Sequence, residues 1–490
     1  MRTVDVVVVG AGLAGVGMAA RLRRAHPELD LVVLEGRSAI GGTWDLFRYP
    51  GVRSDSDMHT LGYPFRPWTD ERSIAPAGVI RDYVRDTAEE EGVLPLVRFG
   101  QRVTGAAWSS TAGRWRVEVS GGEPLECRFL VLCTGYYRYE AGYTPELPGL
   151  DDFAGRVVHP QHWPEGLDVS GRQVVVVGSG ATAVTLVPAL AEAGARVTML
   201  QRSPSYVSAV PSRDAFARRV GRMLPPPAAH RIVRAKNVAV STAIYRFARL
   251  RPASMRSILL RRAAAALPAG FDLGHFSPRY DPWDERLCAV PDGDLFTALS
   301  GGRAEVVTDR IVRVVPDGVE LASGRMLGAD VLVTATGLVL QPLGGIRLTV
   351  DGDPVDVSTR YAYRGMMLSG VPNLAFTIGY VNASWTLKTD LVARYVTRLL
   401  TRLARTGAAS VTPQPPPEAR APASATPEGA PAPVPAEAEP MLGFASGYFR
   451  RGTHLLPRRG RRGPWRVHQD YFRDVLSLAH GSLRRSLRYR

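Results

Sequence analysis

The sequence predicts an α/β fold that consists of two Rossmann-like dinucleotide-binding domains with a helical insertion. The main observation is a valine-rich segment that runs into a glycine-rich turn at residues 5–15 and recurs, nearly unchanged, at residues 173–183. Two similar strand endings, at residues 133–135 and 335–337, follow these units and indicate where the chain passes between domains. Valine runs are typical of parallel strands buried on both faces, and glycines at their ends permit tight turns beside a pyrophosphate.

The first unit predicts an FAD site. A strand over residues 4–9 precedes the G-x-G-x-x-G glycines, a helix over residues 14–25 and a second strand over residues 31–34 that ends at Glu35. A carboxylate at this distance accepts hydrogen bonds from a ribose 2′-hydroxyl and repels a 2′-phosphate, which favours FAD over NADP. The alternative is a loop glycine cluster beside a solvated glutamate. The predicted FAD-binding residues are Gly10, Gly12, Ala14, Gly15, Glu35, Gly42, Thr43, Trp44, Asp55 and Val103.

The second unit predicts an NADPH site. A helix over residues 181–192 is expected to be kinked or shortened by Pro188, and a strand follows over residues 196–200. Where the first unit has Glu35, this one has Gln201-Arg202-Ser203. Because a guanidinium pairs bidentately with phosphate, the site should prefer NADPH to NADH. The predicted NADP-binding residues are Gly178, Gly180, Ala181, Thr182, Ala183, Arg202 and Ser203.

Composition bounds the class of protein. The net charge is +15, but Lys236 and Lys388 are the only lysines, so the arginine excess is typical of a GC-rich genome and no nucleic-acid-binding motif accompanies it. The three cysteines have neither metal nor redox spacing, which fits a reducing cytosol and predicts no metal site. No apolar run is long enough to span a membrane, and we expect a cytoplasmic protein.

The remaining segments predict the accessory parts of the fold. Residues 100–130 alternate apolar and polar and should form antiparallel strands. Residues 204–285 are expected to form a helical insertion, whose arginines are either solvated or form a basic face resting peripherally on an anionic membrane. Residues 411–440, rich in proline, alanine and glutamate, predict a disordered linker. The basic, aromatic residues 441–490 should pack back onto the body.

One motif resembles a known family. The pattern Phe153-x-Gly155-x-x-x-His159-x-x-x-Trp163-Pro164 lies between the two units and resembles that of the Baeyer–Villiger monooxygenases, a group of class B flavin monooxygenases. Related enzymes that oxygenate nitrogen and sulfur usually have tyrosine at the position of Trp163. Residues 41–57, 159–164, 178–189 and 365–370 closely resemble the branch of this family that contains the ethionamide-activating FAD monooxygenases of mycobacteria.

The resemblance implies a reaction and its residues. Family members use FAD, NADPH and O2 to convert ketones to esters through a flavin C4a-peroxide, and they S-oxygenate thioamides and thioethers. Arg286 matches the arginine that reaches over the flavin and stabilises the anionic peroxide. Asp55 matches the acid that orients this arginine, although its position after Pro50-Gly51 also suits a turn residue. Many relatives have lysine where this chain has Glu285. His159 belongs to the hinge, with no acid–base role.

These expectations define a domain plan. Residues 1–140 and 331–410 should form the FAD domain, residues 141–165 the hinge, and residues 166–330 the NADP domain. Asn382 and Trp385 either line the substrate cavity or are structural. The expected partners are O2 and a small apolar ketone or sulfur compound. Three alternatives stay open. The first is an enzyme that mainly oxygenates heteroatoms, and the second is a disulfide reductase, although this sequence lacks the C-x-x-x-x-C pair expected of one. The third is a flavin-bound sensor or a membrane-docked interaction protein that uses the basic tail.

Overall fold

The first of two main sheets carries the first glycine-rich turn. The structure, a computed structural model, describes residues 2–285, 287–416, 438–443 and 446–490. Within these ranges, one strand of this sheet lies outside its main order: Leu374–Phe376, which pairs with Leu125–Leu132. The main order is Asp353–Pro354, Arg347–Val350, Val103–Ser109, Arg114–Val119, Leu125–Leu132, Arg2–Val9, Leu31–Leu34 and Val97–Arg98. The predicted antiparallel strands of residues 100–130 are therefore present, and they continue a sheet whose other half is parallel.

The second sheet carries the second glycine-rich turn and is parallel throughout. Its strand order is Ala304–Thr308, Arg196–Gln201, Gln173–Val177, Val331–Thr334 and Arg156–Val158. Strand Val331–Thr334 lies beyond the expected domain boundary at residue 330, and strand Arg156–Val158 lies inside the expected hinge. Val331–Thr334 pairs with Gln173–Val177 on one side and with Arg156–Val158 on the other, and these pairings hold both strands in the second sheet.

Smaller sheets tie the remaining segments together. Strands Val207–Val210 and Cys288–Pro291 pair in parallel and flank the insertion at its two ends. In the NADP part, Ile311–Val315, Gly318–Leu321 and Met326–Gly328 form an antiparallel sheet. The described residues after it form three short antiparallel pairs: Ala362–Tyr363 with Met367–Leu368, Val411–Pro413 with Leu487–Tyr489, and Glu439–Pro440 with Arg458–Arg459.

Helices cover the faces of both sheets. The α-helices of the described residues are Leu13–Ala25, Thr43–Leu46, Met58–Leu61, Ala77–Glu90, Ala181–Glu192, Ala215–Met223, Pro226–Leu250, Pro252–Ala266, Asp294–Ser300, Trp385–Thr406, Gly447–Gly452 and Tyr471–Asp474. Short 3₁₀ turns begin at residues 94, 150, 160, 273, 342, 357, 453 and 463, and a π-helical turn spans Val475–Ala479. None of the described helices is long and apolar enough to cross a membrane.

The valine runs form strands because both of their faces are covered. Val6, Val7 and Val8 are buried, with Val6 and Val8 in one core cluster and Val7 in another. Alternate residues of a strand point to opposite faces, so a fully buried strand must be apolar at every position. The predicted α/β class with two dinucleotide-binding folds and a helical insertion is confirmed.

Pro188 does not shorten its helix. The helix Ala181–Glu192 continues through Pro188, although proline removes one backbone donor. Pro188 is buried, as are its neighbours Val187 and Leu190 in the core of the second sheet. Packing of this apolar face outweighs the lost hydrogen bond, and the expected shortening is wrong.

The insertion is anchored to the FAD side by buried polar groups. Arg234, in the helix Pro226–Leu250, donates through Nη1 to the carbonyl oxygens of His59, Thr60 and Gly62 at 2.8–3.0 Å. These carbonyls belong to the short helix Met58–Leu61 and the residue that follows it, where a cation is favourable. The helices of residues 204–285 are therefore held in place on the body.

The first residues of the predicted linker are ordered. Val411–Pro413 is a strand paired with Leu487–Tyr489, and Val411 is buried with its N–H donated to Asn373 Oδ1 at 2.7 Å. The expected linker is thus wrong at residues 411–413, because a distant strand supplies the backbone partners. Its centre, residues 417–437, lies outside the described residues. The described residues from 441 onwards pack on the body, with Phe449, Leu456 and Trp465 buried.

Candidate active site

The first glycine-rich turn fits a bound pyrophosphate. Gly10 has φ +100°, and a Cβ on it would lie 2.6 Å from the carbonyl oxygen of Cys133. A Cβ on Gly15 would lie 1.8 Å from the oxygen of Gly10, so helix and strand approach too closely for a side chain. Gly12 precedes the helix Leu13–Ala25 and faces Gly42, whose Cβ would lie 3.0 Å from the Gly12 Cα. Two glycine segments thus leave a backbone-lined cradle at a helix N-terminus.

Glu35 lies beside this cradle, as predicted. Its carboxylate accepts the N–H of Ala11 at 2.7 Å and that of Arg37 at 2.9 Å. Burial raises the pKa of Glu35, while these two donors lower it. Each carboxylate oxygen has further lone-pair capacity for a ribose hydroxyl. Val103 begins the strand Val103–Ser109 and lies near Glu35, since Gln101, two residues before it, donates its N–H to the carbonyl oxygen of Glu35 at 2.8 Å.

The second glycine pair leads into side chains that the sequence did not single out. Thr43 Oγ1 lies 2.5 Å from the hydroxyl of Tyr137, and Tyr137 stacks on Phe47 with ring centroids 6.0 Å apart. Asp45 is buried and paired with Arg37. These partners are far apart in sequence or carry no motif, so only the folded chain brings them together. Trp44 and Ala14 lie half-buried at the edge of the core that contains Val6 and Val8.

The second glycine-rich turn has the same backbone but different surroundings. Gly178 has φ +141°, and its Cβ would lie 2.4 Å from the oxygen of Ala335. A Cβ on Gly180 would have open space around it, while Ala183 is fully buried. Ala181 and Thr182 are half-buried in the first turn of the helix. This turn is therefore also open to a ligand on the side of Gly180.

Arg202 and Ser203 lie where the first site has its acid. Both are exposed just beyond the strand Arg196–Gln201. Ser179 Oγ contacts the oxygen of Ser203 at 3.1 Å, which places this pair beside the glycine turn. Gln201 is buried and donates to the oxygen of His275 and to Thr308, so it points away from the turn. A cation and a hydroxyl therefore stand where the first site has its acid, and both residues face the solvent.

The predicted catalytic residues are placed only in part. Asp55 is exposed in the turn between Ser54 and the helix Met58–Leu61. Arg286 lies outside the described residues. The carboxylates that precede it in sequence each form an ion pair: Asp281 with Arg256 at 3.8 Å, Asp284 with Arg249 at 2.5 Å and Glu285 with Arg450 at 3.0 Å.

The segment before Asp55 packs on the NADP side. A Cβ on Gly51 would lie 2.9 Å from Ala189 Cβ and 3.0 Å from the oxygen of Thr185, both in the helix Ala181–Glu192. Arg53 forms an ion pair with Asp294. The segment before Asp55 therefore forms a loop on the surface of the second sheet's helices.

The hinge motif contacts the two crossover segments, residues 133–155 and 335–346, in which the chain passes between the two sheets. His159 Nε2 lies 3.3 Å from the oxygen of Gly337, and its ring lies against Gly142, where a Cβ would be 1.8 Å away. Burial lowers the pKa of His159. Gln161 donates to the oxygens of Arg138 and Tyr139 at 2.8 Å. A packed, hydrogen-bonded histidine suits a structural part of a hinge.

Asn382 and Trp385 surround little free volume. Trp385 stacks on Tyr136 with centroids 4.9 Å apart. Asn382 lines a cavity of about 20 Å³ together with Tyr380 and Gln469, and its Oδ1 has no partner. This volume suffices for about one water molecule. Among the described residues no group of three or more histidine, cysteine or acidic side chains is arranged to hold a metal ion.

Two glycine-rich turns, each at the end of a parallel strand, define a flavoprotein class that binds two different dinucleotides. One turn has a buried acid beside it, and the other has an exposed arginine. A sequence profile described as pyridine nucleotide-disulphide oxidoreductase matches residues 4–220. The cysteines do not suit disulfide chemistry, because all three thiols are buried and burial raises the pKa of Cys127 and Cys133 to about 12.

Closer relatives define the family. The chain is 47% identical over 484 residues to the FAD-containing monooxygenase EthA of Mycobacterium tuberculosis, covering 98% of this chain and 96% of that protein. It therefore belongs to the family of FAD-containing monooxygenases. The fold is similar to that of a steroid monooxygenase bound to NADP, with a TM-score of 0.77, 22% identity and 99% of both chains covered. It is also similar to a cyclohexanone-bound cyclohexanone monooxygenase, with a TM-score of 0.72, 21% identity and 84% and 89% covered.

Proposed function

We propose that the protein is an NADPH-dependent FAD monooxygenase of the Baeyer–Villiger type that converts small apolar ketones to esters and oxygenates sulfur compounds. The observation that carries the proposal is the contrast between the two turns, one beside buried Glu35 and the other beside exposed Arg202. A carboxylate suits the ribose of FAD, and a guanidinium suits the 2′-phosphate of NADPH. The shared fold of the cyclohexanone monooxygenase and its bound ketone supports the substrate class.

The residues would divide the work between two nucleotides. The FAD would be held by the first turn with Glu35, Thr43 and Trp44, and by the backbone at Val103. The NADPH would be held by residues 178–183 with Arg202 and Ser203. When bound, the FAD accepts a hydride from NADPH and activates O2 for insertion into the substrate. The chain binds and orients both nucleotides and excludes water from their meeting point.

Arg286 is the proposed electrophilic residue of the reaction. A guanidinium there would stabilise negative charge that develops on oxygen during attack on a carbonyl. At about 4 Å and an effective dielectric near 20 this stabilisation is roughly 4 kcal/mol. Asp55 would orient Arg286 and is therefore a positioning residue.

The domain plan is proposed with one refinement. Residues 1–140 and the part after the second sheet, up to residue 410, would form the FAD domain, and residues 166–330 the NADP domain. The pairing of Val331–Thr334 with Gln173–Val177 supports a crossover a few residues after position 330. The hinge at residues 141–165 would let one domain move against the other between reduction and oxygen transfer.

The reaction is tested by turnover. Purified protein is supplied with NADPH and O2, with and without 2-octanone, and products are analysed by mass spectrometry. Coupled formation of an ester supports the proposal. Sulfoxide from a thioether without any ester would favour a heteroatom oxygenase. Peroxide release alone would favour a reductase, and no turnover would favour a sensor. Arg286→Ala should keep NADPH-dependent bleaching of the flavin but lose ester formation, and a ketone rate near wild type would refute its role.

We also propose that the insertion rests on anionic membrane surfaces. Ile232, Val240, Ile244, Phe247 and Leu250 are all exposed in the helix Pro226–Leu250. At 100° per residue they fall within one stripe of about 120°. Exposed arginines accompany them, so apolar contact and attraction to acidic lipids would act together. These arginines are Arg222, Arg231 and Arg251.

Vesicle sedimentation tests the membrane contact. The protein should sediment with phosphatidylglycerol vesicles and remain in solution with phosphatidylcholine vesicles, because only the former attract its arginines. Ile244→Glu should abolish sedimentation. Val312→Glu is the matched control, since Val312 is similarly exposed but lies outside the insertion. Equal sedimentation of both variants would contradict the proposal.

A further inference from the structure

The C-terminal segment brings an arginine to the predicted phosphate site. Arg450, in the helix Gly447–Gly452, forms an ion pair with Glu285 at 3.0 Å. The arginine side chain is 67% exposed and the glutamate 28%. These residues are 165 positions apart in the chain. The ion pair therefore shows that the helix Gly447–Gly452 packs beside Glu285.

The short helix that carries Arg450 is fixed from several sides. Phe449 is buried, and its ring lies 5.9 Å from that of Tyr136. A Cβ on Gly452 would lie 2.5 Å from Leu340 Cβ, so the helix lies directly on the second crossover. Arg451 covers the ring of Tyr143 at 3.4 Å. Arg450 is thus held beside the crossover rather than free to move with a loose tail.

Glu285 lies close to the turn that would hold NADPH. Three residues further along, Cys288 Sγ is 3.8 Å from the oxygen of Ser179 in the glycine turn. Ser179 in turn contacts Ser203, the neighbour of Arg202. Burial raises the pKa of Glu285, and Arg450 and then Arg202 lower it, so both cations act on this carboxylate.

A carboxylate at this place is a problem for a phosphate site. Left alone, Glu285 would attract Arg202 and repel a 2′-phosphate, and both effects weaken NADPH binding. Neither effect acts on NADH, which has a hydroxyl instead of the phosphate. A cation that forms an ion pair with Glu285 would neutralise its carboxylate and so remove both effects.

We propose that Arg450 is a positioning residue for NADPH specificity, which pairs with Glu285 and so leaves Arg202 available for the 2′-phosphate. This inference rests on the proposed NADPH-dependent function and adds the C-terminal segment to its nucleotide site. Arg450 acts through Glu285 and touches no reacting atom.

Steady-state kinetics with both nucleotides test the proposal. Arg450→Ala should raise the KM for NADPH about five- to tenfold and leave the KM for NADH and both kcat values unchanged. The increase should shrink at high salt, because exposed charges are screened. Arg450→Lys should retain most of the specificity.

The double variant separates the electrostatic role from a structural one. Arg450→Ala combined with Glu285→Gln should return the KM for NADPH to within about twofold of wild type, because no carboxylate is left to neutralise. Glu285→Gln alone should bind NADPH at least as well as wild type. Arg313→Ala is the matched control, since its pair with Glu320 has a similar exposure of 62% and 32%. It should change neither KM.

Each outcome decides one point. An equal rise of both KM values in Arg450→Ala, or no recovery in the double variant, would overturn this inference. Arg202→Ala separates it from the proposed function. If Arg202→Ala weakens NADPH selectively and Arg450→Ala does not, only the role of Arg450 fails. If Arg202→Ala affects NADPH and NADH alike, the NADPH assignment itself fails.

Discussion

A buried ion pair holds the C-terminal segment to the body, and its disruption gives a sharp test of the structure. Lys388 Nζ lies 2.6 Å from Asp474 Oδ2, and the two side chains are only 3% and 4% exposed. Tyr380 donates its hydroxyl to the same oxygen at 2.8 Å. Lys388 belongs to the helix Trp385–Thr406, and Asp474 ends the helix Tyr471–Asp474. Burial lowers the pKa of Lys388, while Asp474 raises it.

The substitution Asp474→Asn removes the charge and keeps an oxygen for Tyr380. A buried charge that loses its partner costs roughly 3–5 kcal/mol. Lys388 can limit this cost by losing its proton. With an unfolded pKa near 10.4, deprotonation at about pH 7.5 costs roughly 1.4 kcal/mol for each of about three units, or about 4 kcal/mol. We therefore expect a loss of roughly 3–4 kcal/mol in the local stability of the C-terminal segment.

Hydrogen–deuterium exchange of residues 446–490 measures this loss directly. A decrease of about 3 kcal/mol corresponds to amide exchange on the order of 100-fold faster in the segment. Lys388→Met combined with Asp474→Asn leaves no uncompensated charge and should recover a large part of the protection. Arg213→Ala is the control, because its pair with Glu71 is 64% and 62% exposed and such pairs contribute about 0–1 kcal/mol.

The pH dependence of the variant adds a second criterion. A lysine whose folded-state pKa is lowered destabilises the folded form below its unfolded pKa, and this penalty disappears as both states lose the proton. The deficit of Asp474→Asn should therefore shrink as pH rises from 7.5 towards 10. A deficit below about 0.5 kcal/mol at pH 7.5, or a double variant no better than the single one, would refute the reasoning.

Three further predictions concern the nucleotide sites and the insertion. Gly180→Ala should fold normally, since a Cβ there meets no neighbour, but should raise the KM for NADPH by occupying ligand space; an unchanged KM would contradict this. Glu35→Gln should weaken FAD retention about tenfold or more, measured by flavin fluorescence after ultrafiltration, because an amide cannot accept both N–H groups; full retention would contradict it. His230 has its pKa lowered to about 4 by burial and by Arg234, so wild type should lose up to about 3 kcal/mol as pH falls from about 6.5 to 4. In denaturant titrations His230→Asn should lack this loss, and identical pH profiles would count against the assignment.

The parts of the fold that follow from local pattern were predictable. The strand Leu31–Leu34 and the helix Ala181–Glu192 lie where the sequence places them, because their apolar pattern and flanking glycines are contiguous in the chain. Glu35 was predictable for the same reason, since its distance from the glycine turn is fixed by one helix and one strand.

Features that depend on distant pairing were not predictable. Strand Val331–Thr334 is apolar on both faces and would suit either sheet, so only its partner Gln173–Val177 decides its place. The composition favours a linker at Val411–Pro413, because proline and alanine dominate the residues that follow. Its partner strand, Leu487–Tyr489, lies far along the chain and gives no local signal. The pair of Glu285 with Arg450 has no local signal, because charged surface residues are common and their contacts depend on packing.

The loop around Gly51 limits how this enzyme can be recombined with its relatives. This loop belongs to the first domain in sequence, yet Phe47, Tyr49 and Val52 pack against the core of the second. A hybrid that exchanges only residues 166–330 would set these side chains against a foreign helix surface. Gly51 would then meet whatever replaces Ala189 at a distance that tolerates no larger group. Exchange of nucleotide preference between relatives should therefore transfer residues 47–53 together with the second domain.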